Sequence, residues 1–190
     1  MLITAIAVAL TINVSAASDI SSTVISRALA ETDAIWRAAG VEFVWKRGPA
    51  PSTPAALTVV IGHDLRPVRE GALALGWIYF DEMTPGQRLY ISYANVQQLM
   101  RESAGVVGPQ DRMPIFEREV LMARAIGRAL AHELGHYFLA SKEHTKNGLM
   151  KAHRTATEFF GPDERPFKLD GAQRSQITAR LAQEAVVVSR

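Results

Sequence analysis

The segment covering residues 114–140 carries the longest helical pattern in the sequence. It has no proline after Pro114, so nothing within it forces the backbone out of a helix. Gly127 and Gly135 are its weak positions, because glycine inside a helix is about 1 kcal/mol less favourable than alanine. We therefore predict one helix of about seven turns. The rest of the fold has to pack around this helix.

Shorter patterns on either side predict a sheet and further helices. Ser18 and Asp19 are suitable N-caps for a helix that continues to Ala39 and is ended by Gly40. Strands are predicted at residues 10–14, 41–46, 57–62, 75–80 and 88–93, a short helix at 94–101 and a terminal helix from 167, with loops at 48–54, 64–71 and 141–168. We expect an α+β fold (a mixed α/β sandwich), with a twisted sheet of about four or five strands on two main helices. Residues 1–190 are expected to form a single domain.

The composition narrows the possible partners and ligands. The chain has 21 basic and 19 acidic residues, a formal charge of +2, and no basic stripe, so we expect no nucleic-acid partner. It has no cysteine, which leaves histidine, aspartate and glutamate as the side chains that would bind a transition metal.

The first residues are apolar, which is compatible with either a first β-strand or a signal peptide. The alternation at residues 10–14 favours a strand over a signal peptide, because no lysine or arginine precedes Arg27. The apolar run is also too short to span a bilayer, so we expect no stable membrane insertion. The cellular compartment, including a secreted or periplasmic one, is left open.

The most informative segment is His132-Glu133-Leu134-Gly135-His136, late in the predicted long helix. A spacing of four places both imidazoles on one face, where a single zinc ion can bind them. Glu133 lies about 100° round the helix, beside the metal, where it can act as general base on a zinc-bound water. The alternative is a solvent-facing surface of the helix, but the apolar residues on both sides of the pentad argue against it.

Catalytic zinc generally takes three protein ligands, so a third one is needed. His144 is the best candidate, since it follows a polar stretch where the chain can turn back to the metal. Glu158 is the alternative third ligand, His153 is more typical of a substrate contact or an exposed residue, and His63 is typical of a loop histidine. A fourth ligand from Glu143, His153 or Glu158 would instead close a structural site in a non-catalytic zinc-binding or interaction domain.

Asn147-Gly148-Leu149-Met150 follows His144 and, together with the pentad, resembles the Met-turn of the metzincin metallopeptidases. The family pattern is H-E-x-x-H-x-x-G-x-x-H before that turn. This chain departs from it, with Leu139 at the glycine position and Lys142 at the third histidine, so His144 is expected to take that role. In the family the methionine packs beneath the zinc ligands, which is the place that the resemblance implies for Met150.

The resemblance also extends to the strand pattern at residues 75–80, which is similar to the strand that borders the cleft in matrixin-like metzincins. Some metzincins place a tyrosine two residues after the methionine, whereas this chain has Ala152. The resemblance implies a zinc metalloendopeptidase acting on a peptide or protein substrate, with an extended peptide added beside that strand. The sequence predicts neither a substrate preference nor an oligomeric state.

Overall fold

The computed structural model describes residues 8–50, 56–63 and 73–188. The described strands are β1 (Val8–Ala16), β2 (Val41–Arg47), β3 (Thr58–Gly62), β4 (Gly76–Asp81) and β5 (Thr84–Ser92). The described α-helices are α1 (Ser22–Arg37), α2 (Tyr93–Glu102), α3 (Ala104–Val107), α4 (Ile115–Leu139), α5 (Ala156–Phe160) and α6 (Gly171–Val188). Single 3-10 turns cover Gln110–Arg112 and Arg165–Phe167. The loop predicted at residues 64–71 lies outside the described residues, as does most of the one at 48–54.

One five-stranded sheet has the order β2-β1-β3-β5-β4. Its first four strands are parallel, and β4 pairs antiparallel with β5 at the edge. The parallel strands bury valine, isoleucine and leucine, as expected for strands covered by helices. The mixed α/β architecture, with a sheet of five strands on long helices, is confirmed.

Helices α1 and α4 pack against each other at very short range. The Thr32 hydroxyl donates to the Gly127 carbonyl over 3.0 Å, and the Trp36 indole donates to the Ala131 carbonyl over 3.3 Å. A Cβ atom on Gly127 would lie 2.5 Å from the Ala28 carbonyl oxygen. Gly127 therefore lowers helix propensity but permits the contact that fixes α4 on α1.

The first predicted helix boundary was wrong. Helix α1 begins at Ser22 with Ser21 as N-cap, and not after Ser18 or Asp19. Asp19 instead accepts a hydrogen bond from His63 over 2.9 Å, and Ile20 is buried. A long-range contact and a buried side chain thus hold this stretch outside the helix.

Two further boundaries differ from the sequence prediction. Strand β5 begins at Thr84 and not at residue 88, since the chain reverses at Glu82 and Met83, where Glu82 has a φ of 51°. The predicted Pro85-Gly86 turn therefore lies within the strand. The irregular segment also contains a helix, α5, whose Thr155 N-cap forms a capping box with Glu158. The terminal helix begins at Gly171, after the buried Phe167.

No helix within the described ranges is long and apolar enough to cross a membrane.

Candidate metal centre

Helix α4 places the imidazoles of His132 and His136 side by side. Their Nε2 atoms are 3.1 Å apart, while the two Nδ1 atoms lie 2.8 Å from the Leu149 carbonyl and 2.7 Å from the Ser141 carbonyl. A carbonyl oxygen only accepts, so each Nδ1 donates, and in the neutral ring each Nε2 keeps a lone pair. Two such lone pairs cannot hydrogen-bond to each other. They converge on one point, as two ligands of one metal ion would.

His144 completes a group of three. One ligand atom from each of His132, His136 and His144 lies within 4.8 Å of the other two. The His144 ring stacks on His132 with centroids 5.3 Å apart and meets His136 edge-on at 4.9 Å. His144 is exposed and His136 is buried, so the group faces solvent from one side.

The end of α4 explains why the third histidine is not at position 142. The helix continues through Leu139, and Ala140 takes the left-handed conformation (φ 46°, ψ 44°) that ends it. The metzincin pattern would place the left-handed residue that ends the helix at position 139, and here that residue is Ala140. The helix is therefore one residue longer, and the segment that leads from its end to the histidine is also one residue longer. Lys142 points instead toward β4, with its ammonium 5.3 Å from the centre of the Phe80 ring.

The surroundings keep the imidazoles neutral, which is the form that binds metal. Burial, followed by the proximity of His136, lowers the pKa of His132 to about 3. Burial also lowers the pKa values of His136 and His144. At neutral pH this group therefore offers three unprotonated nitrogens.

Glu133 lies buried beside this group. Burial raises the pKa of its carboxyl to about 8, and it forms no hydrogen bond with any described residue. A Cβ on Gly76 would lie 2.9 Å from the Glu133 Cγ and 2.7 Å from the Ile91 Cδ1. Gly76 thus makes the space that Glu133 occupies against the sheet. Sequence analysis missed this role, although a glycine in a strand pattern is typical of a close approach.

The turn containing Met150 packs directly on α4. Gly148 has a φ of +75°, and a Cβ there would lie 2.7 Å from the Lys168 carbonyl, to which the Leu149 amide donates over 3.0 Å. Met150 is buried, and a Cβ on Gly135 would overlap its sulfur atom. Gly135 is therefore a contact position for this turn, one residue before His136, and not only a weak point of the helix.

Arg154 is a second residue that sequence analysis missed. Its guanidinium donates to the Gly148 carbonyl, to the Leu149 carbonyl over 3.1 Å and to the Pro166 carbonyl over 3.2 Å. The same Leu149 oxygen accepts from His132, so Arg154 holds the carbonyl that orients this imidazole. In the sequence, only the i,i+4 spacing of Arg154 and Glu158 indicated that an ion pair would hold this side chain in place.

The other candidate ligands lie elsewhere. Glu158 pairs with Lys151 over 2.9 Å and caps α5. His63 pairs with Asp19, while His153 lines the cleft in front of the histidine group. Within the described part of the chain, neither these residues nor Glu143 joins the group of three.

The histidine group opens into a cleft of about 1100 Å³. Strand β4 and residues 151–154 both line this cleft. Because β4 is an edge strand, its outer main-chain groups have no strand partner in the described sheet.

No family model and no curated protein matches this sequence. Among solved structures, the fold is similar to that of archaemetzincin from Methanopyrus kandleri, with a TM-score of 0.53 and 14% sequence identity. The match covers 91% of this chain and 96% of that one. The chain thus has a zincin-like fold, as predicted, while the matrixin-like detail stays a prediction.

Proposed function

We propose that this protein is a zinc-dependent peptidase whose metal is held by His132, His136 and His144. The observation that carries the proposal is the convergence of three neutral imidazoles beside a buried carboxyl group, in a cleft bordered by an edge strand. Three nitrogen donors with no thiolate suit zinc, and three protein ligands leave a position for water, as in catalytic zinc sites.

Zinc in such a site acts as a Lewis acid and lowers the pKa of bound water to about 7. Glu133 is the proposed general base, which takes a proton from the attacking water and passes it to the leaving amine. Its carboxyl group is buried and has no hydrogen-bond partner among the described residues, so it is available for this transfer. A divalent cation on the neighbouring imidazoles would favour the ionised carboxylate, which is the form a base needs.

The edge strand supports a peptide as the substrate. The outer main-chain groups of β4 border the cleft and offer the hydrogen-bonding pattern that an extended peptide can pair with. A peptide held there would pass in front of Glu133, because Gly76 at the start of β4 contacts that side chain.

A closed structural zinc site is less well supported. It would require a fourth protein ligand from Glu143, His153 or Glu158. Glu158 is already bound by Lys151 and Arg154, and in the described part of the chain neither Glu143 nor His153 joins the group of three. The exposure of His144 also leaves one side of the group accessible, as a catalytic site needs.

The test is peptide hydrolysis by the zinc-loaded protein and by Glu133→Gln. We expect the variant to bind one zinc per chain but to lose about 10³-fold or more in kcat, since general acid–base catalysis contributes about 10²–10⁴-fold. Glu102→Gln is the matched control, because Glu102 also lines the cleft but is exposed. Undiminished hydrolysis by Glu133→Gln would remove the general-base role. A zinc-loaded wild type without any turnover would favour the structural site.

A further inference from the structure

One cluster of charged residues in the cleft contains more cations than carboxylates. We call Arg128, Lys151 and Arg154 the basic wall, and all three line the cleft. Glu31 pairs with Arg128, and Glu158 pairs with both Lys151 and Arg154. Three positive charges thus share two negative ones. Asp163, another carboxylate near Arg128, is paired with Arg165.

The two arginines of the wall are almost fully buried. Their side chains are 0% and 3% exposed, and both guanidinium groups lie over the Phe167 ring, at 4.9 and 3.9 Å from its centre. Burial, with Arg128 nearby, lowers the pKa of Arg154 to about 10, so it remains charged at neutral pH. A buried cation without its own counterion is unfavourable unless an anion completes the group.

Each arginine also has a buried N–H group with no acceptor among the described residues. Arg128 uses Nε for Glu31 and Nη1 for the carbonyls of Glu158, Phe159 and Gly161. Its Nη2 and the Nε of Arg154 are buried and have no hydrogen-bond partner among the described residues. A buried donor left unpaired costs about 1–3 kcal/mol, so such donors at a cleft point to a ligand that accepts hydrogen bonds.

Lys151 is the accessible member of the wall. Its side chain is 32% exposed, and its ammonium uses two donors on Glu158, at 2.9 and 3.1 Å, which leaves a third. A ligand carboxylate entering the cleft would meet Lys151 first, with the buried guanidinium groups behind it.

We infer that the basic wall binds a carboxylate of the substrate, so that the protein prefers peptides with an acidic residue, or a free C-terminus, close to the cleaved bond. This inference rests on the proposed peptidase function. The same carboxylate chemistry comes from an aspartate or glutamate side chain or from a chain terminus, and the experiment separates the two.

The experiment uses quenched fluorescent peptides that differ at one position by Asp or Asn, or by Glu or Gln, placed in turn on each side of the cleaved bond. Every peptide is made with an amidated and with a free C-terminus. We expect kcat/KM of the wild-type zinc protein to be about tenfold higher or more for the acidic member at one position, as hydrogen bonds to charged groups provide. If only peptides with a free C-terminus are preferred, the carboxylate that the basic wall binds is that of the chain terminus.

Lys151→Gln removes a charge from the wall, and Lys151→Arg keeps it. We expect the acid-to-amide ratio to fall toward one in the first variant and to persist in the second. Lys46→Gln is the matched control, because Lys46 is exposed on β2, at the opposite edge of the sheet, and should leave the ratio unchanged.

The outcomes separate the two proposals. Hydrolysis of all peptides with a ratio near one would overturn the inference and leave the peptidase proposal standing. If no peptide is cleaved, fluorescence anisotropy of the same peptides on the zinc-loaded wild type decides. Tighter binding of the acidic peptides would support carboxylate binding by the basic wall and reject the peptidase function. Equal binding of the acidic and amide peptides would reject both proposals.

Discussion

The two halves of the candidate site are built in different ways. His132, Glu133 and His136 are held by the geometry of one long helix, in which residues four apart share a face. His144 and Met150 lie on a segment with little regular structure, and contacts from distant residues hold it in place. The Lys168 carbonyl, the Arg154 guanidinium and Gly135 are the main ones. Half of the site thus depends on local spacing, and the other half depends on tertiary structure.

The two halves meet at the Leu149 carbonyl. This oxygen accepts from His132 on the helix and from Arg154 on the segment, so each half orients the other. The predictions that follow disturb each half and the junction between them.

The largest effect is expected from removing one ligand from either half. Structural zinc with four ligands binds with about 10–16 kcal/mol, so loss of one ligand should weaken binding by about 10²–10³-fold. We expect His136→Ala and His144→Ala to lose zinc affinity to a similar extent in competition titrations. His153→Ala, in the same cleft, is the control. Affinity in His144→Ala equal to that of wild type would place the third ligand elsewhere.

The next effect concerns Glu133 in the metal-free protein. Its carboxyl has a pKa raised from 4.5 to about 8, so the folded state binds this proton more tightly than the unfolded state. The associated stability is present below about pH 4.5 and is lost as the pH rises through 8. Since one pKa unit corresponds to about 1.4 kcal/mol, the wild type should lose a few kcal/mol relative to Glu133→Gln over this range.

Urea denaturation in the presence of a chelator measures this difference. The comparison between the two proteins cancels the titration of the histidines, which both contain. An unfolding free-energy difference that does not change between pH 5 and 8 would show that Glu133 is solvated in the metal-free protein.

The junction is tested by Arg154. A residue that orients a metal ligand typically contributes about 10–100-fold in affinity. We expect Arg154→Met to weaken zinc binding by about this factor and Arg154→Lys to recover part of it, because lysine keeps one donor for the carbonyls. If both variants bind zinc as the wild type does while melting at lower temperature, Arg154 is structural only.

The smallest effect is expected at Gly135. Alanine should favour the helix by about 1 kcal/mol, but its Cβ would overlap the Met150 sulfur, and overpacking typically costs about 1–3 kcal/mol. We therefore expect Gly135→Ala to be neutral to destabilising in thermal unfolding, and Met150→Ala to relieve the clash in the double variant. Gly171→Ala is the control, since nothing lies within 4 Å of the added Cβ. If Gly135→Ala instead stabilises the protein by about 1 kcal/mol, the full gain in helix propensity, the turn that contains Met150 is loosely packed.

The sequence predicted the features that depend on local pattern. The long helix, the alternation of the strands and the helical spacing of His132 and His136 all follow from periods that one segment contains. The α5 helix was missed although its capping box, Thr155 to Glu158, is visible in the sequence. Glu158 had been considered as a metal ligand, and a five-residue helix gives too short an apolar pattern to recognise.

Other features were beyond reach because they depend on residues far apart in the chain. Gly76 makes room for a carboxylate that lies 57 residues later, and the Gly148 turn fits a carbonyl from Lys168. The start of β5 was misplaced because turn chemistry alone favours a reversal at Pro85-Gly86. Strand pairing places the reversal at Glu82 instead. His144 was singled out by its chemistry, whereas its position follows from the left-handed Ala140.

The unequal exposure of the three histidines bears on how fast a bound metal would exchange. His132 and His136 are locked by carbonyls and largely enclosed, whereas His144 is exposed on a segment of irregular backbone. We expect an ion to arrive and depart on the His144 side, so the lifetime of the loaded protein is governed by the segment after α4. Chelators would then act at a rate set by the opening of that segment, however tightly the helix holds its two ligands.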